Sequence, residues 1–299
     1  VPRLLGAVGA VAALGASCFA WGLVEAHWFK LRHAQLPVLP PGGPTVRVLH
    51  IADLHLMPGQ RDKLRFVESL AHLSPDLVIN TGDNISSPEA IGALHDALSA
   101  LSDVPGGFVF GSNDFVAPRF KNPLNYLLHG RSTPDEHPVE LPTPALRAML
   151  VSHGWADLNE QRTLLEVCGY RFELRGTGDA HHDRADYSSV AGPPRPDADV
   201  ALGVTHAPYL RILDAMTADG VDAIFAGHTH GGQVCVPGYG ALITNCDIEP
   251  ARVKGPSTHS FRGRTAQLHI SAGLGTSPYA PYRFFCRPEA TLVTLTSRH

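Results

Sequence analysis

Short apolar runs of strand length alternate along this chain with stretches whose apolar residues recur at helical spacing. Val46–Ala52, Leu77–Asn80, 106–110 and 200–205 read as strands. Between them, Leu64, Val67, Leu70 and Ala71 share one face of a helix expected around Arg61–Leu73, and a second helix is expected over about 89–101. Pro75 and Asp76 stop the first helix before the next strand. Strand–helix–strand units of this length predict βαβ crossovers and a largely parallel sheet. Farther along, the pattern predicts a helix near Pro144–His153, and Trp155–Leu158 and Tyr170–Leu174 as an antiparallel pair. Strands at 268–271 and 291–295 are expected in a second sheet. The segment 115–150, with prolines at 118, 123, 134, 138, 142 and 144, reads as a surface excursion at the active-site end.

Ahead of this pattern, Leu4 to Val24 carries no charge and is rich in Ala, Gly, Leu and Val, with Arg3 before it and Glu25, Lys30 and Arg32 after. That length predicts a transmembrane anchor within residues 1–30. A cleaved signal peptide is the competing reading, with Gly15-Ala16-Ser17-Cys18 a poor lipobox, but the apolar run continues through Trp21 and Val24. The slight excess of positive charge after the span, with the cysteine pattern below, favours a catalytic domain on the cytoplasmic side of the cell membrane. Residues 31–44, through Leu36-Pro37-Val38-Leu39-Pro40-Pro41-Gly42-Gly43-Pro44, read as a stiff Pro/Gly-rich linker, and the folded domain is expected over 45–299.

Composition removes some function classes. A formal charge of -4 without a long Lys/Arg run argues against a nucleic-acid partner. Five cysteines in 299 residues, with no CxxC pair, suggest a reducing compartment rather than a disulfide framework. Any metal would then be held by nitrogen and oxygen, which points to Mn, Fe or Zn in a site without thiolates. The chain has 17 histidines, and His33, His72, His95, His129 and His299 lie in segments that read as surface or helix flank.

The chemistry sits where strands end. Five apolar runs lead into Asp53-Leu54-His55, Gly82-Asp83-Asn84, Gly111-Ser112-Asn113-Asp114, His206 and Gly227-His228-Thr229-His230. Open α/β sheets build their sites at such ends, so the donors are expected along one edge of a sheet, forming a two-metal hydrolytic centre. Alternation puts Asp53 and His55 on the same side, where a carboxylate and an imidazole can meet one cation. Asp83 adds two oxygens that can bridge two metals, while Asn84 is either a site residue or a cap on the following helix. His228 and His230, flanked by glycines, have no core role available to them. His206 alone would be uninformative.

In this order the set resembles the calcineurin-like metallophosphoesterases, matching four of the five blocks DxH, GD, GNH[DE], an isolated His and GHxH over roughly residues 46–275. The resemblance implies a four-layer α/β sandwich of two mixed β-sheets flanked by helices. It also implies two divalent cations, one on Asp53, His55 and His230 and the other on His206 and His228, with Asp83 bridging. Glu25, Trp28 and the closing Arg283-Phe284-Phe285-Cys286-Arg287-Pro288-Glu289 look like the membrane-anchored branch of that family. The implied reaction is attack of a metal-bridging hydroxide on a phosphodiester or diphosphate, with a phospholipid head group as a candidate substrate. A phosphomonoesterase and a catalytically weak metal-binding scaffold are the alternatives.

One block departs. Where the family has Gly-Asn-His-Asp, this chain reads Gly111-Ser112-Asn113-Asp114. An ungapped match puts Ser112 at the ligand position, and a shift of one residue restores Asn113, whose amide oxygen suits a hard cation better. Either way the histidine that assists the leaving group is missing, and losing general acid help costs about 10²- to 10⁴-fold for a basic leaving group. His181 and His182, in a polar stretch after a strand, are the candidate replacements, and a solvated loop is the alternative reading of that stretch. Asn84 and Asp114 are candidates for ordering neighbouring loops. The pocket walls are expected from 115–150 and 179–195.

Overall fold

The computed structural model describes residues 2–120, 138–182 and 184–298, with side chains from residue 12 onward. In chain order the elements are α1 (Pro2–Glu25), β1 (Lys30–Leu39), β2 (Val46–Ile51), α2 (Arg61–Ser69), β3 (Leu77–Asn80), α3 (Ala90–Leu98), β4 (Gly106–Phe108), α4 (Thr143–Ser152) and β5 (Trp155–Asp157). They continue with β6 (Gln161–Val167), β7 (Tyr170–Thr177), β8 (Val200–Thr205), α5 (Leu210–Asp219), β9 (Ala223–Ala226), β10 (Cys235–Val236), β11 (Gly240–Ala241), β12 (Gly255–Phe261), β13 (Arg264–Ile270) and β14 (Glu289–Ser297). One six-stranded sheet has the order β1-β14-β2-β3-β4-β5 and the other β12-β13-β9-β8-β7-β6. Both are mixed: β14 runs antiparallel to β2 in the first, and β6 and β12 run antiparallel to their neighbours in the second.

Alternation along the strands creates the layers. Val46 and Val48 of β2 face inward, joining Phe172, Leu174, Leu202, Val204 and Phe225 of the opposite sheet in one buried core. Leu49 and Ile51, the intervening positions, face α2, α3 and α4 through Val67, Leu94, Leu98, Leu146 and Leu150. On the far side α5 packs Ile212, Leu213 and Met216 on Ile224, Leu268 and Ile270. Helix, sheet, sheet and helix therefore stack as four layers. Each fully buried aliphatic side chain contributes about 1.5–3 kcal/mol, and a slip of one residue would exchange the two faces of a strand, so the register is firmly set.

Several expectations are corrected. Residues 31–44 are not simply a linker, because Lys30–Leu39 pairs in parallel with β14 and buries Leu36, Val38 and Leu39. Its Pro37 is tolerated because β1 lies at the sheet edge, where a missing N–H costs no ladder bond. The segments at 155 and 170 do not pair with each other. Trp155–Asp157 closes the first sheet beside β4, and Tyr170–Thr177 pairs with Gln161–Val167 in the second. The strands near 268 and 291 likewise fall in different sheets. The expected helix near Pro144 is present, with Pro144 in its first turn.

The expectation of a transmembrane anchor is not supported: among the described residues, no helix is long and apolar enough to cross a membrane. The side chains of residues 1–11, which include eight of the 21 residues of the expected span, lie outside the described ones, as do residues 121–137 of the expected excursion, His129 among them. The end of α1 is fixed to the domain. Glu25 is buried and accepts the backbone N–H groups of Phe285 and Cys286 at 3.0 and 2.7 Å, and Arg283 N–H donates to Gly22 O at 2.9 Å. Arg287 lies 4.0 Å from the Trp28 ring centroid, so the two segments singled out at opposite ends of the chain are neighbours.

Candidate metal centre

The parallel neighbours β2, β3 and β4 carry their C-terminal ends to one rim and deliver Asp53, His55, Asp83 and Asn113. The parallel pair β8 and β9 does the same in the other sheet for His206, His228 and His230. The donors therefore come from two facing sheets, three junctions from one and two from the other, and not from a single sheet edge. Leaving the strands takes an unusual backbone: Asp53, His55, Asp83, His228 and His230 all have left-handed φ, from 43 to 69°. Such conformations cost on the order of 1–3 kcal/mol each and persist only where the surroundings enforce them. Here Asp53 N–H donates to Gly82 O and His55 N–H to Asp83 O, both at 2.9 Å, locking the first two loops together. A Cβ on Gly111 would collide with Asp83 Oδ1 and the His206 ring, so only glycine lets the third loop approach.

The side chains converge. Asp83 Oδ2 lies 3.4 Å from His55 Nε2 and 3.5 Å from His206 Nε2. His55 Nε2 lies 3.2 Å from His230 Nε2, and His228 Nδ1 lies 3.3 Å from His206 Nε2. One donor atom from each of Asp53, His55 and His230 falls within 4.8 Å of the others, and the same holds for Asp53, Asp83 and His206. The first group is the triad that the sequence resemblance assigns to one cation. In the second, Asp53 recurs, so Asp53 is shared by the two groups, while Asp83 of the second approaches His55 of the first.

Burial pushes His55 and His228 down to about 4 and His230 well below the usual imidazole value. These rings are neutral and offer lone pairs. Burial would raise Asp83, but His206, His55 and two N–H donors from Asn113 outweigh it and hold the carboxyl well below its usual range. Asp53 is pushed up to about 7 by burial, against the pull of His206 and with Asp83 beside it adding to the rise. His206 is raised to about 9, burial being outweighed by Asp83, Asp179 and Asp53. Lone pairs of neutral imidazoles facing one another beside two carboxylates are poorly satisfied by protons alone. The donor set, all nitrogen and oxygen, fits divalent cations of the Mn, Fe or Zn kind.

Each imidazole is held from behind, which selects the nitrogen that faces the cavity. His206 Nδ1 pairs with Thr81 O at 2.8 Å, His230 Nδ1 with Gly275 O at 3.2 Å and His228 Nε2 with Asn245 O at 3.1 Å. Asp114 is buried and accepts N–H groups from Asp83, Asn84 and Gly111, tying two loops together. Asn84 joins this network by donating to Asp114 and accepting from Asn80, so it orders loops and does not cap α3. Sequence reasoning gave no role to Arg283, which is fully buried and donates to His230 O, Gly273 O and Gly275 O at 3.1, 3.1 and 2.6 Å. Its only sequence signal was membership of the closing segment.

Asn113 donates its backbone N–H and its Nδ2 to Asp83, and both Ser112 and Asn113 line a cavity of about 670 Å³ above the cluster. His181 and His182 line it too, and the His181 ring lies 4.6 Å from that of His228, with Nδ1 2.7 Å from Tyr209 Oη. Burial, then His228 and His182, push His181 far down, to about 2. The walls come from the expected Val116–Arg119 and Pro138, but also from Leu242, Asn245, Tyr279, Ala280 and Tyr282, which sequence spacing did not indicate.

A family model described as calcineurin-like phosphoesterase matches residues 46–232. The chain is 27% identical over 281 residues to Phosphodiesterase YaeI of Escherichia coli, covering 91% of this chain and 90% of that protein. It is 25% identical over 287 residues to UDP-2,3-diacylglucosamine pyrophosphatase LpxG of Chlamydia muridarum, covering 83% of each. Among solved structures it is similar to TT1561 of Thermus thermophilus, at 12% identity and a TM-score of 0.44, covering 77% of this chain and 91% of that one.

Proposed function

The chain belongs to the calcineurin-like phosphoesterase family and is a metal-dependent phosphoester hydrolase, and from that premise we propose that it cleaves a phosphodiester or diphosphate bond, with a lipid head group as the substrate class. The observation that carries this reading is the convergence of Asp53, His55, Asp83, His206, His228 and His230 beneath a cavity that His55, Asp83, His228 and His230 line. Val116, Leu242 and Tyr279 line the cavity together with Arg119 and Arg184, a mixture suited to a phosphate joined to an apolar body. The names of the two relatives, a phosphodiesterase and a pyrophosphatase, support the same bond type.

In this reading Asp53, His55 and His230 would hold one cation and His206 and His228 the other, with Asp83, within 3.5 Å of both His55 and His206, available to either. Two bound divalent cations supply Lewis-acid polarisation of the phosphate and a nucleophilic water at neutral pH. Asn113 fixes Asp83 and turns its amide toward the cavity as a further ligand. His181 and His182 face the leaving-group side. His181 is neutral without substrate, and the charge of a bound phosphate is what would raise its proton affinity enough for it to serve as the acid. We infer a reducing compartment at the cytoplasmic face of the cell membrane, a reading that the five free thiols support only as to the compartment.

The test is hydrolysis of bis(p-nitrophenyl) phosphate by protein stripped with chelator and reloaded with Mn, Fe or Zn. Activity should return with metal and stay absent in Asp83→Ala and His228→Ala. Faster turnover of p-nitrophenyl phosphate than of the diester would assign a phosphomonoesterase instead. No turnover of either with any of the three metals would overturn the reading.

A further inference from the structure

The described part of α1 carries large apolar side chains in solvent: Leu14 at 66%, Phe19 at 56%, Trp21 at 45% and Val24 at 58% exposure. At about 100° per residue these positions, together with Leu23 at 36% exposure, are spread around the helix and not confined to one stripe. A helix apolar all round is not covered by a groove on a partner protein, which takes one face and leaves the others wet. A fluid apolar phase covers all of them. The next charged residue after Arg3 is Glu25, whose carboxylate is turned back into the domain on Phe285 and Cys286 and adds no charge to this surface.

This surface runs on to the active-site mouth through ring contacts. Trp28 meets Trp21 at 6.0 Å between centroids, and Phe19 meets Tyr282 at 5.8 Å. Tyr282 and Tyr279 both line the cavity, and Tyr279 meets Phe120 at 6.3 Å, itself 69% exposed. Gly22 allows the close approach, since a Cβ there would stand 3.2 Å from Arg283 O and 3.4 Å from the Tyr282 Cβ. Trp and Tyr suit the boundary between headgroups and acyl chains. Arg287 stacked on Trp28 and Arg119 and Arg184 at the cavity add positive charge where anionic headgroups would lie.

We propose that α1 and the Phe19–Tyr282–Tyr279–Phe120 seam form a lipid-docking face that seats the cavity mouth on a bilayer, so that an acyl-bearing phosphoester reaches the metal centre sideways from the membrane. This rests on the phosphodiester reading but makes a separate claim, that substrate is taken from the lipid surface.

The experiment uses the full chain loaded with metal, vesicles of phosphatidylcholine with and without phosphatidylglycerol, and bis(p-nitrophenyl) phosphate as a soluble control. The parent protein should co-sediment with vesicles, more strongly with phosphatidylglycerol present. Leu14→Ser with Val24→Ser, both exposed and away from the site, should weaken co-sedimentation about tenfold or more and lower hydrolysis of vesicle-borne phosphatidylglycerol in step, with soluble diester turnover unchanged. Absence of vesicle binding by the parent, equal binding by the variant, or concentration-dependent self-association that the same substitutions abolish would each overturn the proposal. Vesicle binding by the parent, lost in the variant, without hydrolysis of any diester would uphold the docking face and overturn the phosphodiester reading alone.

Discussion

Asn113 reaches Asp83 twice, its backbone N–H donating to Oδ1 at 2.8 Å and its Nδ2 to Oδ2 at 2.7 Å. Asn113 thus faces Asp83 from the third loop although the family histidine is missing from this block. The amide fixes the carboxylate that stands between His55 and His206, and Gly111 keeps the loop close enough for it to do so.

Replacing Asn113 with Ala removes the side-chain donor but leaves the backbone bond. Hydrolysis of bis(p-nitrophenyl) phosphate should fall about 10- to 100-fold, the range for groups that orient metal ligands, and the metal concentration for half-maximal activity should rise. Ser112→Ala should change both far less. The reverse order of effects would make Ser112 the ligand.

Arg283→Met should loosen His230 and leave the carbonyls of Gly273 and Gly275 without their buried donor. Unsatisfied buried acceptors cost about 1–3 kcal/mol each, so the melting temperature should drop. Metal affinity should drop about 10- to 100-fold as well. Calorimetric titration of stripped protein with Mn separates the two effects: a lower melting temperature with parental affinity would refute a positioning role.

For His181→Ala the informative variable is the leaving group. If the imidazole protonates the departing oxygen, the loss should be about 10²- to 10⁴-fold for an alkyl diester and small for a p-nitrophenyl one. An equal loss on both substrates would reduce His181 to holding Tyr209 and the cavity wall.

Away from the site, Glu173 is completely buried and accepts from Arg162, Arg175 and the Arg195 backbone. Burial acts to raise its carboxyl, but those three donors outweigh it and hold the group below its ordinary value of 4.5. A depressed folded value means that the stabilisation is fully present above about pH 4.5 and is lost as pH falls through the lower folded value. Glu173→Gln should therefore cost about 3–5 kcal/mol near neutral pH, the range for breaking a buried pair, and flatten the acid limb of a stability curve. Denaturant melts of both proteins between pH 3 and 7 check it, and parallel acid limbs would remove Glu173 as the cause.

Much of the frame was legible. The parallel strands buried on both faces stand out as apolar runs, as β2, β3, β8 and β9 did, and their ends mark donor positions without any knowledge of pairing. The edge strands β6 and β12 were not legible, because Gln161–Val167 and Gly255–Phe261 are partly in solvent and carry no continuous apolar run. Pro37 disguised β1 in the same way. Its pairing with β14 joins Lys30 to Glu289 and Leu39 to Ser297, about 260 residues apart, and nothing local to either segment encodes that.

The sequence by itself determined which side chains could bind metal, because donor type and position after a strand are local properties of the chain. The tertiary structure alone decided that three donor loops come from one sheet and two from the other. It also placed Arg283 behind His230 and brought the aromatic end of α1 to the cavity mouth. Those relationships depend on how two sheets face each other, and that is fixed by the fit of apolar surfaces contributed from the whole length of the chain.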